Sequence, residues 1–146
     1  MNKAEVIERY RELVEDLALP PHQVILSAGA ALVVMGIREE TSDLDVDVPT
    51  SVFNWASKKF GVIENETVNK RVQYTPLVDL HEYDENTGVV CIEGVWLYSP
   101  TELLKQKHWL TKLADRTDVK TQQDHRDIRQ LETLTQSQPF TARALL

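Results

Sequence analysis

The stretch ILSAGAALVVMGIREETSDLDVDV, residues 25–48, decides the reading of this chain. It opens inside Gln23-Val24-Ile25-Leu26-Ser27, a short apolar run that predicts a buried strand. Gly29 to Gly36 follows as a helix, apolar nearly all round and therefore packed on every side. A polar loop, Arg38 to Ser42, leads into Asp43-Leu44-Asp45-Val46-Asp47-Val48, which alternates strictly until Pro49 stops it. Period 2 is the period of a strand, with carboxylates on one face and aliphatics on the other. Carboxylates two positions apart stand about 7 Å from each other along such a strand, and they repel. Two arrangements accommodate them. Either water screens an open face, or a divalent cation lies between them, since Mg2+ takes one or two carboxylates together with water and phosphate oxygens.

The turn before the helix adds context. Ser27-Ala28-Gly29-Ala30 is a small-residue junction from strand to helix. Backbone N–H groups at a helix start point outward at the positive end of its dipole and can cradle a phosphate. The plainer reading is that Gly29 lets the helix pack closely on the sheet. A cradle followed 14 residues later by paired carboxylates is more specific than either feature alone.

Around this centre the pattern is mixed. Residues 3–18 place Val6, Ile7, Tyr10, Leu13, Val14 and Leu17 at helical spacing, and Pro20-Pro21 ends that helix. Residues 50–60 predict a helix capped by Thr50 or Ser51. Val62–Thr67, Arg71–Thr75 and Leu77–Tyr83 predict strands, and Asp84–Gly88 has turn chemistry. Val89–Ile92 and Val95–Tyr98 predict a hairpin around Glu93-Gly94. Ser99-Pro100-Thr101-Glu102 starts a helix that runs to about Ala114, another covers about 118–135, and the tail after Gln136 is expected to fray. The expected fold is therefore a mixed α/β (α+β) domain. It spans 1–146 as a single unit, with a core over 23–98 and a C-terminal helical pair over 99–135. Trp96, Trp109 and Phe53 are expected in the core.

Composition bounds the function. The chain has 146 residues and a formal charge of −7. Residues 1–98 hold 17 acidic and 8 basic side chains, net −9, while residues 99–146 hold 6 and 8, net +2. Such acidity argues against duplex DNA as a partner, because that binding needs a basic face. No apolar run suits a membrane span, and the N-terminal MNKAEVIERYREL has no signal-peptide core, which predicts a cytoplasmic protein. The lone Cys91 excludes an internal disulfide framework. Asp124-His125 reverses the His-Asp metal doublet of phosphohydrolases and lacks companion histidines at ligand spacing. Leu77-Val78-Asp79-Leu80-His81-Glu82-Tyr83 sets Asp79 among strand hydrophobes, where an unpaired carboxylate is costly. A nearby metal explains it, and so does a turn or edge position.

The stretch 25–48 resembles the core signature of the polymerase-β-like nucleotidyltransferase superfamily: a strand, a Gly-Gly or Gly-Ser turn, a helix, a polar loop, then Asp-x-Asp on a strand. Thr41-Ser42-Asp43-Leu44-Asp45 is similar to its Thr-Ser-Asp-hydrophobic-Asp segment. Ser99-Pro100-Thr101-Glu102-Leu103-Leu104-Lys105-Gln106-Lys107 resembles a helix start of minimal and toxin-type members. So does the series Arg116, Lys120, Asp124, Asp127, Ile128 and Leu131, and the likeness extends over about residues 24–131. The resemblance implies a nucleotidyltransferase-like mixed sheet flanked by helices. It implies Asp43, Asp45 and Asp79 as catalytic and metal-binding carboxylates, with Asp47 an extra; a shifted register would use Asp45 and Asp47. It implies nucleotide contacts from Gly29, Ala30, Thr41, Ser42 and Lys107, with Ser27, which is not a family position, as an added nucleotide contact. Ala30 departs from the family's Gly or Ser, and Ser27 offers a hydroxyl from the strand side. Lys107 either faces phosphates or belongs to a solvated helix face, and Asp124 and Asp127 orient basic neighbours or cap helix contacts. The implied activity is transfer of a nucleoside monophosphate from an NTP, ATP among them, to an acceptor hydroxyl on a protein, an RNA end or a small molecule. It depends on Mg2+, with Mn2+ as a substitute, and releases pyrophosphate. The alternative is a catalytically weakened member that acts as a nucleotide-binding or protein-interaction module. A second subunit, of this or another chain, is the expected means of completing so small a pocket.

Overall fold

Asn2 starts the first helix, α1 (Lys3–Leu17), by a reciprocal cap in which its side chain accepts the Glu5 N–H and the Glu5 carboxylate accepts the Asn2 N–H. The computed structural model describes residues 1–64, 70–83, 88–112 and 117–137. Val6, Tyr10 and Leu13 face inward from α1, as their 3–4 spacing requires. Pro21–Gln23 then forms a 3-10 turn in which the Val24 N–H bonds the Pro21 carbonyl. That turn takes the residues expected to open a strand, so β1 is only Ile25–Ser27. The elements that follow are α2 (Ala28–Val34), β2 (Leu44–Val48), α3 (Thr50–Phe60), β3 (Arg71–Thr75), β4 (Val78–Glu82), β5 (Val89–Ile92), β6 (Val95–Tyr98), α4 (Pro100–Leu110) and α5 (Asp118–Ser137).

The six strands form one mixed sheet in the order β3-β4-β2-β1-β6-β5. β2 and β4 are parallel, as are β1 and β6; the other neighbours are antiparallel. Leu26, Leu44, Val46, Val48, Val72, Leu80 and Leu97 are all fully buried on one face, in a core shared with Ala30–Val34 of α2. α2 packs on β1 and β2, α3 packs on β3 and β4, and α1 packs on α2 and β6. α4 and α5 pack chiefly on each other, and Leu103 and Leu131 join this C-terminal pair to the core. The architecture is thus mixed α+β, a six-stranded sheet flanked by five helices.

Some expectations need correction. Neither Thr50 nor Ser51 caps α3; Pro49 precedes it without a side-chain cap, and the Thr50 hydroxyl donates to Glu82 Oε1 at 2.8 Å instead. Residues 62–64 form no strand but a single bridge, Ile63 to Arg71, after Gly61 closes α3 in a positive-φ conformation; the rest of that expected strand, residues 65–67, lies outside the described residues. Also outside them are positions 84–87 of the expected turn, 113–114 of the expected α4, and nearly all of the tail. α4 ends at Leu110, where Thr111 and Lys112 turn back onto the Lys107 and Trp109 carbonyls. Phe53 is buried and Trp96 partly so, but Trp109 is 49% exposed, because it lies about 120° round α4 from the buried Leu103. Among the described residues no helix is long and apolar enough to cross a membrane.

Tyr10 ties three of these elements together. Its hydroxyl shares its hydrogen between the Pro21 and Val24 carbonyls, at 2.9 and 2.8 Å, and accepts the Trp96 N–H at 3.2 Å. Burial pushes the hydroxyl pKa up to about 12, so it stays a neutral donor. Replacement by Phe leaves the Trp96 amide and two carbonyls short of a partner, which costs about 1–3 kcal/mol. Tyr10→Phe is therefore expected to lower the urea midpoint in that proportion with an unchanged m-value.

Candidate acidic site on the open face of the sheet

The parallel pairing of β2 and β4 sets Asp45 beside Asp79 and Asp47 beside His81. With Leu44, Val46, Val48 and Leu80 buried behind, strand alternation brings these four polar side chains to the opposite face. Asp43, just before β2, joins them. Burial raises its carboxyl pKa, and the charges of Asp45 and Asp79 raise it further, against Lys120 and Arg71. Asp79 is raised for the same reasons, first burial and then Asp45, with Arg71 and His81 opposing. Neither the Asp43 nor the Asp79 carboxylate has a hydrogen-bond or ion-pair partner among the described residues.

The other two carboxylates are engaged. His81 Nε2 lies 3.0 Å from Asp45 Oδ1. Burial alone pushes this imidazole down, yet the Asp45 hydrogen bond and the charges of Asp45, Asp47 and Asp79 leave it raised, so the protonated form is favoured. The Tyr98 hydroxyl, from β6, donates to Asp47 Oδ2. Asp47 is thereby drawn toward β6, while Asp43, Asp45 and Asp79 remain the mutually repelling set.

The β1–α2 junction borders this set through the backbone. The buried Ser27 hydroxyl donates to the Asp45 carbonyl at 3.1 Å, and Thr41 Oγ1 donates to the Asp43 carbonyl at 3.3 Å. Ser42 is exposed next to Asp43. The turn itself falls one residue earlier than the sequence suggests: Ala28 has φ 52°, the left-handed region an alanine occupies at a cost, while Ala30 lies inside α2 and is buried. Gly29 is needed for close approach. A Cβ there would stand 2.6 Å from Arg38 Nη1 and 2.9 Å from Thr41 Oγ1.

Lys107 is not on a solvated face. It is buried between α4 and α5, with Nζ 2.9 Å from Asp124 Oδ1 and 3.1 Å from Asp127 Oδ2. Its ammonium answers two carboxylates that are themselves buried, which takes it out of an open phosphate contact in this arrangement. Asp127 also holds Arg38 in two-pronged fashion, Nη2 to Oδ2 at 2.7 Å and Nε to Oδ1 at 3.3 Å, and accepts from Gln123 at 2.8 Å. Burial pushes the Asp127 carboxyl up, but the Arg38 and Gln123 hydrogen bonds and the Lys107 and Arg38 charges outweigh it and hold it below the ordinary range. As sequence reading expects, Asp124 and Asp127 both orient basic neighbours.

Four residues near the site escape sequence reasoning. Arg38 lies in a loop without periodicity. Tyr98 and Arg71 reach the site only through strand pairing, Arg71 opposite His81 and with a buried Nε that has no hydrogen-bond partner. Lys120 belongs to the C-terminal series, but nothing in its spacing points it toward Asp43. No family model, curated protein or solved structure matches this chain.

Among the described residues no three His, Cys, Asp or Glu side chains are gathered into a ready metal cage. Mg2+ does not require one, since it commonly binds through one or two carboxylates and completes its shell with water and phosphate oxygens. Asp43, Asp45 and Asp79 fit that donor chemistry: hard oxygens within electrostatic reach of one another, two of them with no ion-pair partner among the described residues.

The buried Lys107 yields a test. Lys107→Met leaves Asp124 and Asp127 buried with their shared cation gone, a change that costs about 3–5 kcal/mol. A large fall in denaturation midpoint is expected, whereas an exposed, phosphate-facing lysine would leave stability nearly unchanged.

Proposed function

We propose that the chain is a metal-dependent nucleotidyltransferase acting at Asp43, Asp45 and Asp79. The observation that carries this reading is a set of three mutually repelling carboxylates, two of them without a hydrogen-bond or ion-pair partner among the described residues, beside Ser27, Gly29 and Thr41. Such crowding costs stability unless a divalent cation and an anionic substrate share the site.

Asp43 and Asp45 would hold Mg2+, with Asp79 contributing to the same charge. The bound metal supplies charge neutralisation for the triphosphate and lowers the pKa of a hydroxyl near it. The chain's own residues do the rest. Asp79, whose proton affinity is raised by burial and by Asp45, is suited to take the acceptor hydroxyl's proton. The acceptor oxygen then bonds the α-phosphorus as the bond to the bridging oxygen breaks, and pyrophosphate leaves. The Asp45–His81 contact fixes one Asp45 oxygen and leaves the other for the cation.

A nucleotide-binding module without transfer is the second reading. The burial of Lys107 between Asp124 and Asp127, which withdraws a phosphate contact that the family resemblance implies, favours it, and an assay for pyrophosphate release separates the two.

A thermal shift tests the site. Mg2+ with a nucleoside triphosphate at about 100 Kd is expected to stabilise the protein by about 2.7 kcal/mol, and EDTA to abolish the effect. Asp43→Ala and Asp45→Ala are each expected to lose it. Retention of the full metal-dependent shift by both variants would overturn the assignment.

A further inference from the structure

We propose that Arg38 is the residue that grips the departing phosphates, and that Asp127 is its positioning residue, reaching in from α5. This deepens the nucleotidyl-transfer reading and rests on it. Distances place Arg38 beside Gly29 and Thr41: a Cβ built on Gly29 would stand 2.6 Å from Arg38 Nη1 and 2.9 Å from Thr41 Oγ1. Thr41 in turn bonds the Asp43 carbonyl, so the guanidinium lies one residue contact from the carboxylate set.

The guanidinium is also built in rather than loose. Asp127 takes Nε and Nη2 across 89 residues of chain, and Asp127 is itself held by Lys107 and Gln123. Nη1 is left out of that fork, and the side chain keeps 22% of its surface exposed while Asp127 keeps 1%. A planar donor locked on one side with its remaining N–H groups toward a site is the form that recognises phosphate oxygens, and preorganisation spares the ordering cost at binding. The charge count agrees. These four described residues, Lys107 and Arg38 against Asp124 and Asp127, sum to zero, and Arg38 is the partly exposed member among them. Lys107, the basic residue singled out by sequence, thus acts through Asp127 to hold the residue that touches phosphate.

Calorimetric titration of the full chain in Mg2+ tests this, with α,β-methylene nucleoside triphosphates and the matching monophosphates as probes. Arg38→Ala is expected to weaken triphosphate binding by about ten- to a hundredfold, the worth of a hydrogen bond to a charged group, and to leave monophosphate binding unchanged. Arg38→Lys should recover part of the loss. Asp127→Asn, checked for folding by its melting curve, should resemble Arg38→Lys by lowering the triphosphate-to-monophosphate preference. Triphosphate binding by Arg38→Ala equal to wild type would overturn the proposal, as would an equal loss for both probes. Should Asp43→Ala abolish binding while Arg38→Ala does nothing, Arg38 alone is misassigned. Should wild type bind no triphosphate, the nucleotide reading falls.

Discussion

The parallel pairing of β2 with β4 forces Asp45 and Asp79 side by side, and much else in the molecule answers that juxtaposition. Like charges on neighbouring strands destabilise a sheet. The pairing is held from behind, where Leu44, Val46 and Leu80 are fully buried against the helices. One face of the same strands therefore stabilises what the other face opposes. The front is tempered by cations at its edges: His81 on Asp45, Arg71 near Asp79 and Asp43, and Lys120 near Asp43. None of the three closes an ion pair with Asp43 or Asp79, so burial first and the charge of Asp45 second keep both carboxyls raised.

A second set of charges shows the opposite treatment. Lys107, Asp124, Asp127 and Arg38 are neutral as a group, at close range, and largely dry. Buried networks of this kind add little net stability over an apolar filling, but they fix geometry and are costly to leave half-complete. Here the geometry fixed is that of the helical pair against the loop between α2 and β2. Among the described residues, charges that answer one another in this cluster contrast with the Asp43 and Asp79 carboxylates, which have no such partner. Of the basic side chains described in the C-terminal segment, Lys107 is buried with Asp124 and Asp127, while Lys112, Lys120, Arg126 and Arg129 are exposed, Lys120 acting on Asp43 through its charge.

Much of this was legible in residues alone. Strict alternation over Asp43–Val48 gave the strand and its acidic face, and helical spacing gave α1, α4 and α5 within a few residues. What periodicity cannot give is adjacency. That β4 rather than another strand lies beside β2, and in the register that opposes Asp79 to Asp45, depends on how the whole sheet orders itself. Arg38 was invisible because a loop has no face to read. Lys107 and Asp124 both stand out in the sequence, yet only the packing of α4 on α5 shows that they pair. The shift of the strained turn to Ala28 likewise depends on where β1 ends, which the Pro21–Gln23 turn decides.

For Asp43 and Asp79 to form a cation site, their ionised carboxylates must cost the fold stability that a divalent cation restores. A raised carboxyl pKa means that stability is lost as pH rises from the ordinary 3.8 through the raised value and stays lost above it. The most direct measurement is the melting temperature of metal-free Asp43→Asn and Asp79→Asn beside wild type across that range. At neutral pH both variants should melt above wild type, the advantage should vanish as pH falls toward 3.8, and Mg2+ should stabilise wild type alone. Variants that melt at or below wild type at neutral pH without metal would show that Asp43 and Asp79 cost the fold nothing.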